Sequence, residues 1–240
     1  MQEHGEWLQQ AVSEWGLFLS DQQLRQFAQY FERLVETNKV MNLTAITEPR
    51  EVYVKHFYDS LLLAKSLDIK EVDSLIDVGT GAGFPGIPLK IAFPHLRLVL
   101  LDSLKKRVQF LRETADALGL KEVECVHGRA EDLAKQKGYR QSFDLVTARA
   151  VARLNVLAEY CLPFVKVGGY FVSMKGPSVG EEITEAKRAL FILGKTTVER
   201  EEFQLPEGMG TRNILIMKKR DQTPKAYPRK AGTPAKQPLV

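Results

Sequence analysis

A chain of 240 residues with 44% hydrophobic and 27% charged side chains has the make-up of a soluble globular protein and the length to bury a core unaided. Only two cysteines, Cys125 and Cys161, argue against a disulfide framework; no apolar run spans a bilayer, and MQEHGEWLQQ lacks a signal peptide's basic start, so a cytoplasmic protein is expected. The net charge of +4 is uneven: from Lys218 onward seven basic residues face one acid, Asp221, and the rest of the chain is slightly acidic.

Residues 1–70 read as an N-terminal helical region packed on the core. Leu8, Val12 and Trp15 share one face, and Leu24, Phe27, Phe31, Leu34 and Val35 another, at helical spacing, with Ser20 and Asp21 offering an N-cap. The pattern breaks near Asn38, and NLTAITEPRE forms a loop before a helix carrying Val54, Phe57, Leu61, Leu62 and Ala64, with Pro49 in its first turn. From Val72 the rhythm changes to short apolar strands alternating with helices: strands at 75–78, 96–101, 123–126, 143–147 and 169–174, and helices at 105–118, 154–162 and 181–193. Two last strands, near 196–202 and 213–218, have no helix between them and predict an antiparallel hairpin at the sheet edge. Alternation of this kind predicts an open, mostly parallel α/β sheet over 71–219, with the ligand-bearing loops at the strands' C-terminal ends. Residues 220–240, carrying Pro224, Pro228, Pro234 and Pro238 among their basic residues, read as an extended basic arm for a polyanion, nucleic acid above all.

The strongest local signal is Asp77-Val78-Gly79-Thr80-Gly81-Ala82-Gly83-Phe84-Pro85-Gly86, which follows a strand and opens a helix. Glycines let the backbone turn sharply and approach a ligand. Asp102 ends the next strand, 21 residues after Gly81, where a carboxylate can accept both ribose hydroxyls of an adenosine cofactor. Two glycine registers compete. Residues 81–86 match G-x-G-x-x-G, the weak fingerprint of a nicotinamide dinucleotide, whereas Asp77-x-Gly79-x-Gly81-x-Gly83 places an acid at the strand end and suits S-adenosylmethionine, which has no pyrophosphate. The Gly128-Arg129-Ala130-Glu131-Asp132 segment after the third strand can reach an adenine, and together with the terminal hairpin it favours the methyl donor.

DVGTGAGFPGIPLKI, LDSLKKR, GRAED, TARAVARL, MKG, RNILIMKK and PRKAGTP occur in that order, preceded by NLTAIT and KHFYDSL. From about Leu24 to Pro238 this set resembles the bacterial guanine-N7 methyltransferases of small-subunit (16S) ribosomal RNA, the glucose-inhibited division protein B family. The resemblance implies a Rossmann-like methyltransferase fold with a seven-stranded sheet and an N-terminal helical extension. It also implies methyl transfer from S-adenosylmethionine to one guanine in the decoding-region (530) loop, on RNA, the small subunit or its precursor. Cofactor contacts carry over onto Gly79, Phe84, Asp102, Ala130, Glu131 and Arg149, beside Asp77, Gly81 and Gly83 of the loop.

Guanine N7 has a lone pair and no proton at neutral pH, so methylation needs in-line positioning rather than a general base. No nucleophile–base constellation stands out, and no metal is expected. The Asn-Pro-Pro-aromatic element of amine methylation is absent after strand four, where Thr147-Ala148-Arg149-Ala150 stands instead. Cys125 and Cys161 read as core residues. His56, Asp59, Arg149 and Lys175 are candidates for positioning, and Arg153, Lys175, Arg212, Arg229 and Lys230 for holding RNA phosphates. The competing readings are a nicotinamide-dependent oxidoreductase and a non-catalytic RNA-binding assembly factor.

Overall fold

The computed structural model describes residues 2–149 and 152–240. Helices α1 (Gln2–Ser13) and α2 (Asp21–Met41) lead the chain. Ser20 caps α2 reciprocally: its hydroxyl accepts the Gln23 N–H at 3.3 Å, and the Gln23 side chain accepts the Ser20 N–H at 2.7 Å. Gln23 also donates to the carbonyls of Ile91 and Ala92, and Gln26 to that of Leu118, tying α2 to the sheet-covering helices. Asn42 ends α2 in the left-handed conformation (φ 51°), which asparagine tolerates better than most residues.

The helix expected after Pro49 is continuous but not uniform. It runs through α3 (Pro49–Val52), a π-helical stretch (Tyr53–Tyr58), α4 (Asp59–Leu61) and α5 (Leu63–Ser66). π-Helical turns concentrate at functional sites because the wider turn redirects side chains; this one carries His56 and leads into Asp59.

Seven strands follow: β1 (Ser74–Val78), β2 (Arg97–Asp102), β3 (Val123–His127), β4 (Phe143–Arg149), β5 (Val165–Lys175), β6 (Glu199–Gln204) and β7 (Thr211–Lys218). Between them lie α6 (Gly86–Ala92), α7 (Lys105–Ala117), α8 (Ala130–Leu133), α9 (Leu154–Cys161) and α10 (Gly180–Gly194). The order is β3-β2-β1-β4-β5-β7-β6; β1 to β5 pair in parallel, and β7 is antiparallel to both β5 and β6. The terminal hairpin is therefore present, with β7 inserted beside β5. Successive strand residues supply opposite faces. Leu75, Leu98, Leu100 and Leu145 belong to the apolar layer shared with α1, α2, α6 and α7, whereas Ile76, Val99, Leu101 and Val146 belong to the layer beneath α9 and α10. The strand order reverses between β1 and β4, the place where an open parallel sheet leaves a crevice at its strands' C-terminal ends.

Two strand starts move by three or more residues. β5 starts at Val165 rather than Gly169, because Val165 pairs with Phe143 before a register shift. β6 starts at Glu199, because Lys195 closes α10 in the left-handed conformation and Thr196 still bonds back to Leu190. Ala150, the last residue of the strand-four motif, lies outside the described residues.

The C-terminal segment is the main correction. Residues 220–240 do not reach outward as an extended arm; they fold back over α9 and end near α11 (Thr233–Lys236). Pro228 and Pro234 are buried, and the Arg140 guanidinium donates to the Tyr227 and Thr223 carbonyls at 2.8 and 2.9 Å. Thr223 Oγ1 donates to the Leu193 carbonyl at 2.6 Å. At the segment's root, Lys219 is fully buried and its ammonium donates to Gln141 Oε1 and the Leu162 and Val165 carbonyls, a complement for each of its three N–H groups. Basic and proline-rich composition suggests a solvated arm only while the acids waiting for it are unseen.

Candidate cofactor and substrate cleft

Asp77 organises the glycine-rich loop from below. Fully buried at the end of β1, it accepts the Thr80 hydroxyl at 2.6 Å and the Gly86 N–H at 2.9 Å on Oδ2, and the Thr147 hydroxyl at 3.1 Å on Oδ1. Burial pushes its carboxyl up to about 6 despite these donors. Gly79 and Thr80 donate to the Leu101 carbonyl, and Gly81 donates to Asp102 Oδ2 at 3.0 Å, so the loop lies across the end of β2. Tyr30, reaching over from α2, donates its hydroxyl to the Ala82 carbonyl at 2.6 Å. The N-terminal helices are therefore built into the loop's support.

Two adjoining hollows of about 310 and 420 Å³ share Gly79, Asp102 and Ser103 and together form one trench along the strand ends. That size suits a nucleoside-sized ligand. The first hollow is walled by Val78, Leu101, Gly128 to Glu131 and Tyr160, and closed by Gly232 and Ala235 of the C-terminal segment. The second is lined by Leu43, Thr44, His56, the loop from Gly79 to Ala82, Phe84, Arg107 and Arg149. Asp102 stands where they meet. It accepts from Gly81 and from the Leu104 N–H at 2.9 Å, and each carboxylate oxygen has further acceptor capacity.

At the far end, His56 stacks on Phe84 with centroids 4.5 Å apart, and the Arg149 guanidinium lies 4.8 Å from the same ring's centroid. His56 Nε2 meets Thr44 Oγ1 at 2.8 Å. Burial, helped by neighbouring Arg149, drops the histidine to about 3, so it is neutral at physiological pH. Asp59 Oδ2 receives both Arg149, at 3.3 Å, and Arg212, at 3.0 Å, while Oδ1 is buried with no hydrogen-bond partner. Burial raises the Asp59 carboxyl. Two guanidiniums on one carboxyl leave the cluster with a net positive charge, and Arg149 presents it to the trench, a field that favours an anion such as an amino-acid carboxylate.

Of the residues singled out from sequence, Gly79, Gly81, Phe84, Asp102, Ala130, Glu131 and Arg149 line the trench, as does His56. Asp77 and Gly83 do not. Asp77 spends its oxygens on the loop and on β4, and Gly83 is a packing glycine: an added Cβ would sit 2.5 Å from Ile87 and 2.7 Å from the Tyr30 hydroxyl. Lys175 also lies elsewhere, its ammonium donating to the Ala152 carbonyl at 2.6 Å and to Glu182 at 2.7 Å, where it ties β5 to α10. Arg153 pairs with Glu185 at 2.7 Å on the surface, and Arg229 is committed to Glu159. Lys230 is exposed. Sequence reasoning did not select Tyr30, Thr44, Arg107, Tyr160, Gly232 or Ala235; Thr44 and Gly232 nevertheless sit inside the NLTAIT and PRKAGTP motifs. Cys125 and Cys161 are free and buried, with thiols pushed up by burial, Cys125 to about 11, which makes both poor nucleophiles.

The model of the family described as rRNA small subunit methyltransferase G (GidB) matches residues 23–213. The chain belongs to this family. Relatives bearing the name Ribosomal RNA small subunit methyltransferase G include one from Brevibacillus brevis, 56% identical over 225 residues and spanning 94% of both chains. Another, from Exiguobacterium sp., shows the same identity and coverage. Among solved structures, an O-methyltransferase from Bacillus cereus in complex with SAH superposes with a TM-score of 0.58 over 88% of this chain and 96% of its own, at 18% identity, which shows a shared fold. Within the family's fold, the competing dinucleotide register meets a physical obstacle. The Gly86 N–H at the start of α6 is already bonded to the Asp77 carboxylate, where a pyrophosphate would otherwise gather the helix's N-terminal donors.

Proposed function

We propose that the protein transfers the methyl group of S-adenosylmethionine to N7 of a single guanine in the decoding-region loop of small-subunit ribosomal RNA. Asp102 carries the donor assignment: a nearly fully buried carboxylate at the tip of β2, at the midpoint of a trench whose two ends differ in chemistry. Its oxygens accept the ribose hydroxyls. The mixed apolar and backbone wall from Gly128 to Glu131 takes the adenine, and Phe84 and Arg149 take the methionine end, with Arg149 facing its carboxylate. Thr44 and His56 would then stand beside the reacting end of a bound donor, opposite the loop.

What the chain's residues supply is binding and orientation. Guanine N7 attacks the methyl carbon with its lone pair, the carbon–sulfur bond breaks, and sulfur keeps the electron pair as the neutral thioether. No proton moves in that step. A neutral His56 stacked on Phe84 fits such a reaction, since it neither repels the sulfonium nor competes for a proton.

The RNA partner is supported by charge at the trench mouth. Lys105, Lys106 and Arg107 begin α7 beside Ser103, and Lys105 and Lys106 are exposed. Arg107 lies 3.7 Å from Asp102, whereas Lys105 and Lys106 stand exposed at a helix N-terminus, where the dipole disfavours a cation by about 0.3–1 kcal/mol each, so their presence there favours a polyanion held at that rim. Arg153, Arg212 and Lys230 are further candidates, and a cytoplasmic location on the RNA, the subunit or its precursor follows from the same reading. Among the described residues no helix is long and apolar enough to cross a membrane. Transfer of labelled methyl from S-adenosylmethionine into small-subunit RNA, followed by cleavage at N7-methylguanine, tests the proposal. One labelled guanine in the decoding-region loop is expected; label at another atom or in no RNA would overturn it.

A further inference from the structure

The C-terminal segment carries more than surface charge. Two buried carboxylates on the α8–α9 side of the sheet, Glu131 and Glu159, are 5% and 1% exposed, and both find their partners in this segment. Glu159 accepts the Arg229 backbone N–H at 2.8 Å and the Arg229 guanidinium on both oxygens, at 2.9 and 2.6 Å. The same guanidinium donates to the Gln237 carbonyl at 2.8 Å, so Arg229 closes the turn from 229 to 237 on itself while locking it to α9. Three residues beyond Arg229, the Gly232 N–H donates to Glu131 Oε1 at 2.8 Å. Gly232 has φ +83°, a conformation glycine enters without strain, and it opens α11. Gly232 and the exposed Ala235 then face Ala130, Glu131 and Tyr160 across the adenine end of the trench.

We infer that residues 229–237 are part of the methyl-donor site: Gly232 and Ala235 form its adenine-side wall, and Arg229 is a positioning residue that holds this wall, and through Gly232 the Glu131 carboxylate, in place. The inference rests on the donor occupying this trench. Its physical content is a linkage: a donor that touches the docked segment binds the docked state more tightly, and docking in turn raises donor affinity by the same factor. Arg229's role is then distinct from gripping RNA, because its guanidinium is spent on Glu159.

Titration of the full-length chain with S-adenosylmethionine and S-adenosylhomocysteine tests this, using two variants. Arg229→Met removes the latch. Ala235→Trp keeps the latch and fills the wall from an exposed position, so folding is preserved even if the first variant is unstable. In both, donor Kd and donor KM are expected to rise about tenfold or more, the weight of one well-placed interaction. The kcat at saturating donor and the affinity for RNA stay near wild type, and Arg229→Lys recovers part of the donor affinity. In the wild type, donor slows tryptic cleavage at Lys230 and Lys236; in Arg229→Met it does not. Unchanged donor affinity in Ala235→Trp, or loss of RNA affinity with donor affinity intact in Arg229→Met, would overturn the inference while leaving the methyltransferase reading standing. A wild-type chain that bound neither molecule would overturn both.

Discussion

Asp77 and Asp102 end neighbouring strands of one sheet, yet their surroundings give them opposite tasks. Three donors from Thr80, Gly86 and Thr147 turn Asp77 inward as the keystone of the loop, whereas Asp102 shares its oxygens with Gly81 and Leu104 and still faces the trench. Asp102→Ala is therefore expected to lower donor affinity sharply. Hydrogen bonds to an ionised group are worth about 1.5–3 kcal/mol each, so loss of the ribose contacts corresponds to at least about a tenfold rise in donor Kd by calorimetry. RNA affinity, set elsewhere, is expected to persist. His56 supports a second expectation. Held down to about 3 mainly by burial and then by Arg149, its ring stays neutral from pH 5.5 upward, so single-turnover methylation has no histidine limb near pH 6.5. A limb there that disappears in His56→Gln would contradict the neutral ring.

The loop, as an element, separates two kinds of glycine that look alike in sequence. Gly81 (φ +62°) has nothing within 4 Å of an added Cβ and lines the trench, while Gly83 (φ +108°) would drive a methyl into Ile87 and the Tyr30 hydroxyl. Gly81→Ala should cost only about 1–2 kcal/mol of stability, the strain of a positive φ, but weaken donor binding because the methyl points into ligand space. Gly83→Ala adds overpacking to strain and should cost about 2–5 kcal/mol, visible as a large fall in Tm before any binding is measured. Equal Tm values for the two would refute the distinction. The alternation of apolar strands with helices made β1 to β5 readable, since the apolar residues of the central strands face one of two buried layers, and Asp102 was readable from its place at the end of β2. Asp77 was readable as a strand-end acid but not as a loop support, because spacing does not say which way a carboxylate turns. Nor does periodicity signal the π-helical turn at Tyr53–Tyr58 that carries His56, since one extra residue per turn barely disturbs an apolar pattern.

Across the whole molecule, charge composition proved a poor guide to charge placement. Seven basic residues after residue 217 read as a nucleic-acid arm, but Lys219 is buried on carbonyls and Arg229 is paired with Glu159; their partners lie 54 to 78 residues away in sequence and carry no local signal. The cations best placed for RNA are instead those that defy local helix rules. Helices α1, α2 and α10 begin with acids in their first turns, Glu3, Asp21, and Glu181 with Glu182, as the helix dipole favours. Helix α7 alone among these longer helices begins with Lys105, Lys106 and Arg107, at the mouth of the trench. A phosphate backbone laid along that rim would displace counterions, so log Kd for RNA against log salt should become shallower by about 0.7 for each lysine removed. Lys105→Ala/Lys106→Ala is thus expected to weaken RNA binding and flatten the salt dependence without moving donor Kd. Lys187→Ala, at an exposed position of α10 on the opposite face of the sheet, should do neither. Were the double variant to keep the wild-type slope, the rim of α7 would not be where the RNA lies, and the cations Arg153 and Lys230 would be the next to remove.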